Sequence, residues 1–146
     1  TGYNVHRVHK MQVSTHGGIR PKRATHGAAG YDLYTPEGFT IQPGESVIID
    51  LKIKLRIPGG YYGKIESRSG LGFRHGLIAF GGVIDSDYRG TIMIKLFHLG
   101  SEPLTVDPGD RVAQMVLNPH ASFLVIPVAA VEQTARGEAG FGSTGK

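Results

Sequence analysis

From Ser46 to Ile57 the chain alternates. Val47, Ile49, Leu51, Ile53, Leu55 and Ile57 occupy one phase, and Asp50, Lys52, Lys54 and Arg56 occupy the other. A strand sends successive side chains to opposite faces, so the six apolar groups share one face and the four charges share the other. A helix would spread the same residues around its circumference. The segment is a half-buried strand, and it obliges the chain to provide a sheet and a core to receive it.

The rest of the chain is cut to match. Pro58, Gly59 and Gly60 break the long strand, and Tyr61 to Ser67 begins another. Thr91 to His98 alternates again, with Ile92, Ile94 and Leu96 in phase. Arg111 to Leu117 and Ser122 to Ile126 read as buried strands, while Ser69 to Arg74 has room for one short helical turn. The 22 glycines and 8 prolines punctuate short segments. Short strands at regular spacing with tight turns predict an all-β fold, a single jelly-roll domain of the β-clip kind. The expected divisions are a basic N-terminal arm over 1–24, a β core over 25–128 and a C-terminal arm and lid over 129–146. The stretch from Arg136 to Lys146 carries Gly137, Gly140, Gly142 and Gly145 and almost no apolar content, so a mobile tail is expected there without ligand.

Composition narrows the function classes. With 146 residues and 40% hydrophobic content, the chain has enough for one domain with a core. There is no cysteine, which removes disulfides, thiolate catalysis and thiolate metal sites, and fits a reducing compartment. His6 and His9 lie close together, but no further ligand cluster accompanies them to make a zinc site. No apolar run approaches the roughly 20 residues of a membrane-spanning helix. The net charge of +4 is local: Arg7, Lys10, Arg20, Lys22 and Arg23 fall in residues 1–31 with no acid. What remains is 11 Lys and Arg against 12 Asp and Glu, so the domain itself is not a basic nucleic-acid binder.

Five short segments carry chemistry. Gly140 to Lys146 matches the first seven positions of a phosphate loop, but the chain stops before the metal-binding Ser or Thr, and no helix follows. Its glycines, with Ser143 and Thr144, still offer backbone N–H groups and hydroxyls to a polyphosphate. Ala28 to Tyr34 is a turn entering a strand, with Asp32 as an acceptor. Arg68 at a strand end can pair with a carboxylate or phosphate, and Ser69 can cap the following turn. Gly81 to Gly90 reads as a hairpin edged by Gly82 and Gly90, with Asp85, Asp87 and Tyr88 at its tip; a carboxylate there suits a general base. Gln114 stands among Val112 and Val116, an odd place for an amide without a partner.

Taken in order, Ala28 to Tyr34, Gly63 to Gly72, Gly81 to Gly90, Gly109 to Leu117 and Arg136 to Gly145 resemble the five motifs of the trimeric dUTPase family. The resemblance covers nearly all of the chain from Ala28 onward. It implies a homotrimer of jelly-roll subunits with active sites at the interfaces. It implies hydrolysis of dUTP to dUMP and pyrophosphate by water attack on the α-phosphorus, limiting uracil incorporation into DNA and supplying dUMP for thymidylate synthesis. Mg2+ would be held through substrate phosphates and water, not by a protein cage.

Carried onto this chain, the resemblance makes Asp85 the base and sets Tyr88 flat under the deoxyribose. The backbone of the hairpin, at Gly82 and Ile84, would read the uracil. Ser69 and Gly70 would bind phosphate oxygens, with Arg68 tied to Asp32. Gln114 would contact the α-phosphate or the attacking water. Arg136 would meet the γ-phosphate, Phe141 would cover the uracil, and Gly142, Ser143 and Thr144 would wrap the phosphates. No membrane and no nucleic-acid partner are implied, and the location would be cytoplasmic or nuclear, in a cell or a virus.

Two departures from the family pattern stand out. Glu66 and Ser67 stand where Ala-Pro is usual, and Ala139 replaces a glycine. Neither change falls on a residue assigned direct chemistry. A dCTP-deaminating relative on the same fold would call for a catalytic Glu in the hairpin, where this chain has Asp85 and Tyr88. A non-catalytic binding module would not need Asp85, Arg68, Gln114 and Arg136 together.

Overall fold

The computed structural model describes residues 9–142. In chain order its elements are β1 (Gln12–Ser14), β2 (Gly30–Tyr34), β3 (Phe39–Ile41), β4 (Ser46–Arg56), β5 (Tyr61–Glu66), α1 (Ser69–His75), β6 (Leu77–Phe80), β7 (Val83–Ile84), β8 (Thr91–His98), β9 (Leu104–Val106) and β10 (Arg111–Pro119). Two four-stranded sheets, ordered β1-β4-β8-β6 and β2-β10-β5-β7, share one core, and β3 pairs with β9 beside them. Every strand pairing is antiparallel. This is the all-β jelly-roll arrangement that the strand spacing predicts.

The long alternating segment is β4. Ile49, Leu51, Ile53 and Leu55 point inward and are buried, and Ile57 just beyond is buried too. Ile92, Ile94 and Leu96 of β8 meet them, and Leu33, Ile65, Val112, Ala113 and Met115 come from the second sheet. Burial of this kind contributes roughly 25 cal/mol per Å² of apolar surface and holds the two sheets together. Between Asp50 and Lys54 the register slips, so four residues of β4 span what two residues of β8 cover. The extra backbone loops out at Lys52, whose φ is 56° and whose N–H donates to Asp50 Oδ1 at 2.8 Å.

Three expectations need correcting. Ser122 to Ile126 is not a buried strand: the segment runs without a pairing partner, and Phe123, Leu124, Val125 and Ile126 are all exposed. Its apolar run resembles a core strand in composition, but both sheets are complete without it. The segment Gly81 to Gly90 is not a hairpin in the strict sense. Its first strand, β7, pairs with β5, whereas the strand that follows, β8, pairs with β4 and β6, so the turn crosses from one sheet to the other. The basic arm expected over 1–24 is not separate from the core, because Gln12–Ser14 form β1 along β4, and Met11 and Val13 pack on the core.

Candidate functional site

In the second sheet, β10 runs between β2 and β5, with Gln114 opposite Asp32 on one side and Glu66 on the other. Leu33, Ala113, Met115 and Ile65 point into the core, so Asp32 and Gln114 stand together on the outer face. Asp32 is mostly buried there. Its carboxylate faces two guanidiniums, Arg68 Nε at 3.6 Å and Arg111 Nη1 at 3.7 Å. The part-buried Gln114 donates from Nε2 to the Ser67 carbonyl at 3.0 Å, which is the partner its odd position demands. With Ala24, Ala28, Gly30 and Ser69 these residues line a cleft of about 180 Å³. Gly30 leaves room for this amide: a Cβ on it would run into Gln114 Oε1 and push the side chain aside.

Arg111 was not singled out by its place in the sequence. It stands at the mouth of a turn, where a lone arginine reads as surface, and only the register of β10 against β2 brings it to Asp32. Ser69 does not cap the turn, contrary to expectation. The helix already includes it, Arg68 is the N-cap residue, and no side chain caps the end. Ser69 therefore lines the cleft from the first helical turn, with Gly70 beside it. Glu66 does not enter the cleft. It pairs with Lys64 at 3.0 Å on the surface, and that hydrogen bond and charge raise the Lys64 pKa above its ordinary value.

The second group lies elsewhere. Asp85, Ser86 and Asp87 line a broader cleft of about 550 Å³ with Tyr61, Tyr62, Val83 and His120. The turn is firm. The Tyr88 N–H donates to the Asp85 carbonyl at 3.1 Å, and Arg89 Nη1 donates to the Ser86 carbonyl at 2.6 Å. Tyr88 donates its hydroxyl to the Thr91 carbonyl at 2.8 Å and lies so close over Gly90 that a Cβ there would collide with the ring. Ile84 is buried, and the Gly82 carbonyl accepts from the Ile65 N–H at 3.0 Å. The alternation of an antiparallel ladder then turns the N–H and C=O of Val83 toward the open edge of β7.

The two clefts share no lining residue. Since β7 runs antiparallel to β5 with Ile84 opposite Gly63, Asp85 follows at the level of Tyr62. Gln114 stands opposite Glu66, four residues along β5, a separation of roughly 13 Å at ~3.3 Å per residue. Residues 136–142 line neither cleft. Arg136 Nε donates to the Ala139 carbonyl at 2.6 Å within its own turn, and Phe141 is fully exposed with a φ of 45°. Gly142 follows with a φ of 84°, and Ser143 and Thr144 lie outside the described residues.

A cleft floored by an amide and flanked by Arg68 and Arg111, with the Asp32 carboxylate between the two guanidiniums, has the chemistry to receive an anion. The fold that carries this cleft is a jelly roll. A dUTPase family model matches residues 17–145, and the chain belongs to that family. It is 41% identical over 136 residues to the mouse deoxyuridine 5'-triphosphate nucleotidohydrolase, covering 93% of this chain and 83% of that one. The enzyme of the same name from fowlpox virus is 44% identical over 128 residues, covering 86% and 88%. A solved structure of a point mutant of Staphylococcus bacteriophage 80alpha dUTPase with dUpNHpp superposes with a TM-score of 0.83 at 27% identity, covering 95% of this chain and all of that one.

Proposed function

We propose that this protein hydrolyses dUTP to dUMP and pyrophosphate, with each active site built from more than one copy of the chain. The observation that carries the reading is the anion cleft of Asp32, Arg68, Ser69, Arg111 and Gln114 in a member of the dUTPase family. Arg68 and Ser69, with the Gly70 backbone, take phosphate oxygens. Asp85 of a neighbouring copy takes a proton from water as the water oxygen bonds to the α-phosphorus. The bond from that phosphorus to the bridging oxygen breaks, and pyrophosphate leaves. Gln114 orients the water or the α-phosphate. Positioning and charge stabilisation supply most of the rate in such chemistry.

Selection falls to the other cleft. Tyr88, pinned over Gly90 by its bond to Thr91, presents a flat face to the deoxyribose that leaves no space for a 2′-hydroxyl. The backbone from Gly82 to Ile84 reads the uracil edge, with Val83 foremost because its polar groups face the open strand edge. A rigid backbone excludes the thymine methyl by collision, which discriminates more sharply than an apolar pocket. Arg136, Phe141 and Gly142, followed by Ser143 and Thr144, close over the bound nucleotide.

Mg2+ fits this donor set as a passenger on the triphosphate. Among the described residues no three His, Asp or Glu side chains converge, and Asp32 is already engaged by two arginines. When bound, the ion supplies charge neutralisation at the phosphates.

Assembly as a homotrimer accounts for the surface. The outer face of the first sheet exposes Ile48, Ile78, Phe80, Met93 and Phe97 on paired strands, and the segment from Phe123 to Val131 exposes another apolar run. Contiguous patches of this kind mark contact surfaces. The division into an arm over 1–24, a core over 25–128 and a C-terminal arm and lid over 129–146 suits such exchange. No described helix is long and apolar enough to cross a membrane. In a cell or a virus the reaction would keep uracil out of DNA and supply dUMP for thymidylate synthesis. The test is pyrophosphate release from dUTP alongside dCTP, dTTP and UTP. Release from dUTP alone is expected, and equal turnover of any other nucleotide would refute the assignment.

A further inference from the structure

Along β5 the backbone of residues 82 to 84 forms an antiparallel ladder, with Gly63 opposite Ile84, Lys64 opposite Val83 and the Ile65 N–H donating to the Gly82 carbonyl. At Ser67 the ladder continues by other means. The Ala79 N–H donates to Ser67 Oγ at 2.8 Å, and the Ser67 hydroxyl donates to the Ala79 carbonyl at 3.4 Å. One hydroxyl thus serves both polar groups of a residue on β6, in the other sheet. The carbonyl of the same serine accepts from Gln114 Nε2.

These bonds decide which end of the Gln114 amide faces the cleft. With Nε2 drawn to the Ser67 carbonyl, Oε1 lies over Gly30, on the cleft floor. An acceptor there can hold a water by its O–H and leave an oxygen lone pair free for phosphorus. The amide nitrogen in that place would occupy the lone pair instead. We propose that Ser67 is a positioning residue for the hydrolysis: its hydroxyl moors the end of β5 to β6, and its carbonyl, held there, fixes Gln114 with Oε1 toward the reacting water. This deepens the dUTP-hydrolysing reading above and rests on it.

The test is a cycle of Ser67→Ala and Gln114→Ala, with Ser67→Thr as the variant that keeps the hydroxyl, read as kcat and KM for dUTP. Ser67→Ala should lower kcat by roughly ten- to a hundredfold with KM little changed, as small misplacements of catalytic groups do. Ser67→Thr should restore most of that loss, and Ser67→Ala should cost nothing further once Gln114 is alanine. An unchanged kcat in Ser67→Ala, or the same fold loss in both backgrounds, would overturn the proposal. Proton exchange at the Gln114 side-chain amide of the unmutated protein, followed by NMR, provides a test that no folding defect can obscure. One of its two protons should be protected, and equal rapid exchange of both would overturn the mooring. A wild-type protein that releases no pyrophosphate from dUTP would refute the function instead, and the exchange measurement would still stand.

Discussion

The two ends of β5 are built in opposite ways. At the Glu66 end the polar groups are partly buried and mutually committed: two arginines on Asp32, Gln114 on the Ser67 carbonyl, and Ser67 on Ala79. At the Tyr62 end the carboxylates of Asp85 and Asp87 stand exposed on a turn whose firmness comes from its backbone. On the proposed reading one end is an anion seat, and the other presents the Asp85 carboxylate outward on a rigid mount. An outward-facing carboxylate is what the proposed sharing of each site between copies of the chain would require.

The sharpest way to break this comparison is to damage the ends separately. Asp85→Asn keeps the shape and removes the base, so turnover should fall by ~10²–10⁴-fold while nucleotide binding persists. Gln114→Ala damages the other end. Refolded together, the two inactive proteins should regain a fraction of wild-type pyrophosphate release, because some sites then combine one intact end from each chain. Absence of any recovery would mean that a single chain holds the whole site. Light scattering should meanwhile give about three chain masses, and a fully active monomer would refute the shared site.

Truncation after Ala135 comes next in size. It should leave a folded trimer that has lost most of its turnover, since fixing each tail residue costs roughly 1–2 kcal/mol that bound phosphates must offset. Hydrogen exchange over residues 136–142 with and without a non-hydrolysable analogue tests the closure, and equal protection in both states would remove the tail from the mechanism. Tyr88→Ala should have a smaller effect, narrowing the preference for dUTP over UTP. An unchanged ratio in a folded protein would shift sugar selection to another group. Smallest of all is Glu66→Gln. Solvent screens an exposed pair such as Lys64–Glu66, so thermal stability and kcat/KM should barely move. A large loss would place Glu66 in the cleft.

The sequence was most readable where burial enforces a period. β4 and β8 alternate because one face of each packs on the core, and their limits were legible to within a residue. Ser122 to Ile126 misled for the same reason in reverse: its apolar run is that of a core strand, but in this chain nothing covers it. The turn from Gly81 to Gly90 was legible as a turn, but which strands it joins depends on pairings far away in the chain. Asp32, Arg68 and Gln114 were visible as segments in order. Arg111 and the part played by Ser67 depend on register between β2, β10, β5 and β6, and no local pattern encodes that.

Gly30 contributes no side chain to anything, yet a Cβ on it would strike the Gln114 oxygen. In a saturation library selected for growth on this enzyme, substitutions at position 30 should therefore lower activity by displacing that amide. Gly44 and Gly59 offer open space at the Cβ position, and Gly59 lacks even the positive φ that Gly44 shows, so it should accept many substitutions. A map of intolerance drawn from such a library would outline the cleft partly by its hollows, and a chemist reading only the reactive side chains would miss that part of the outline.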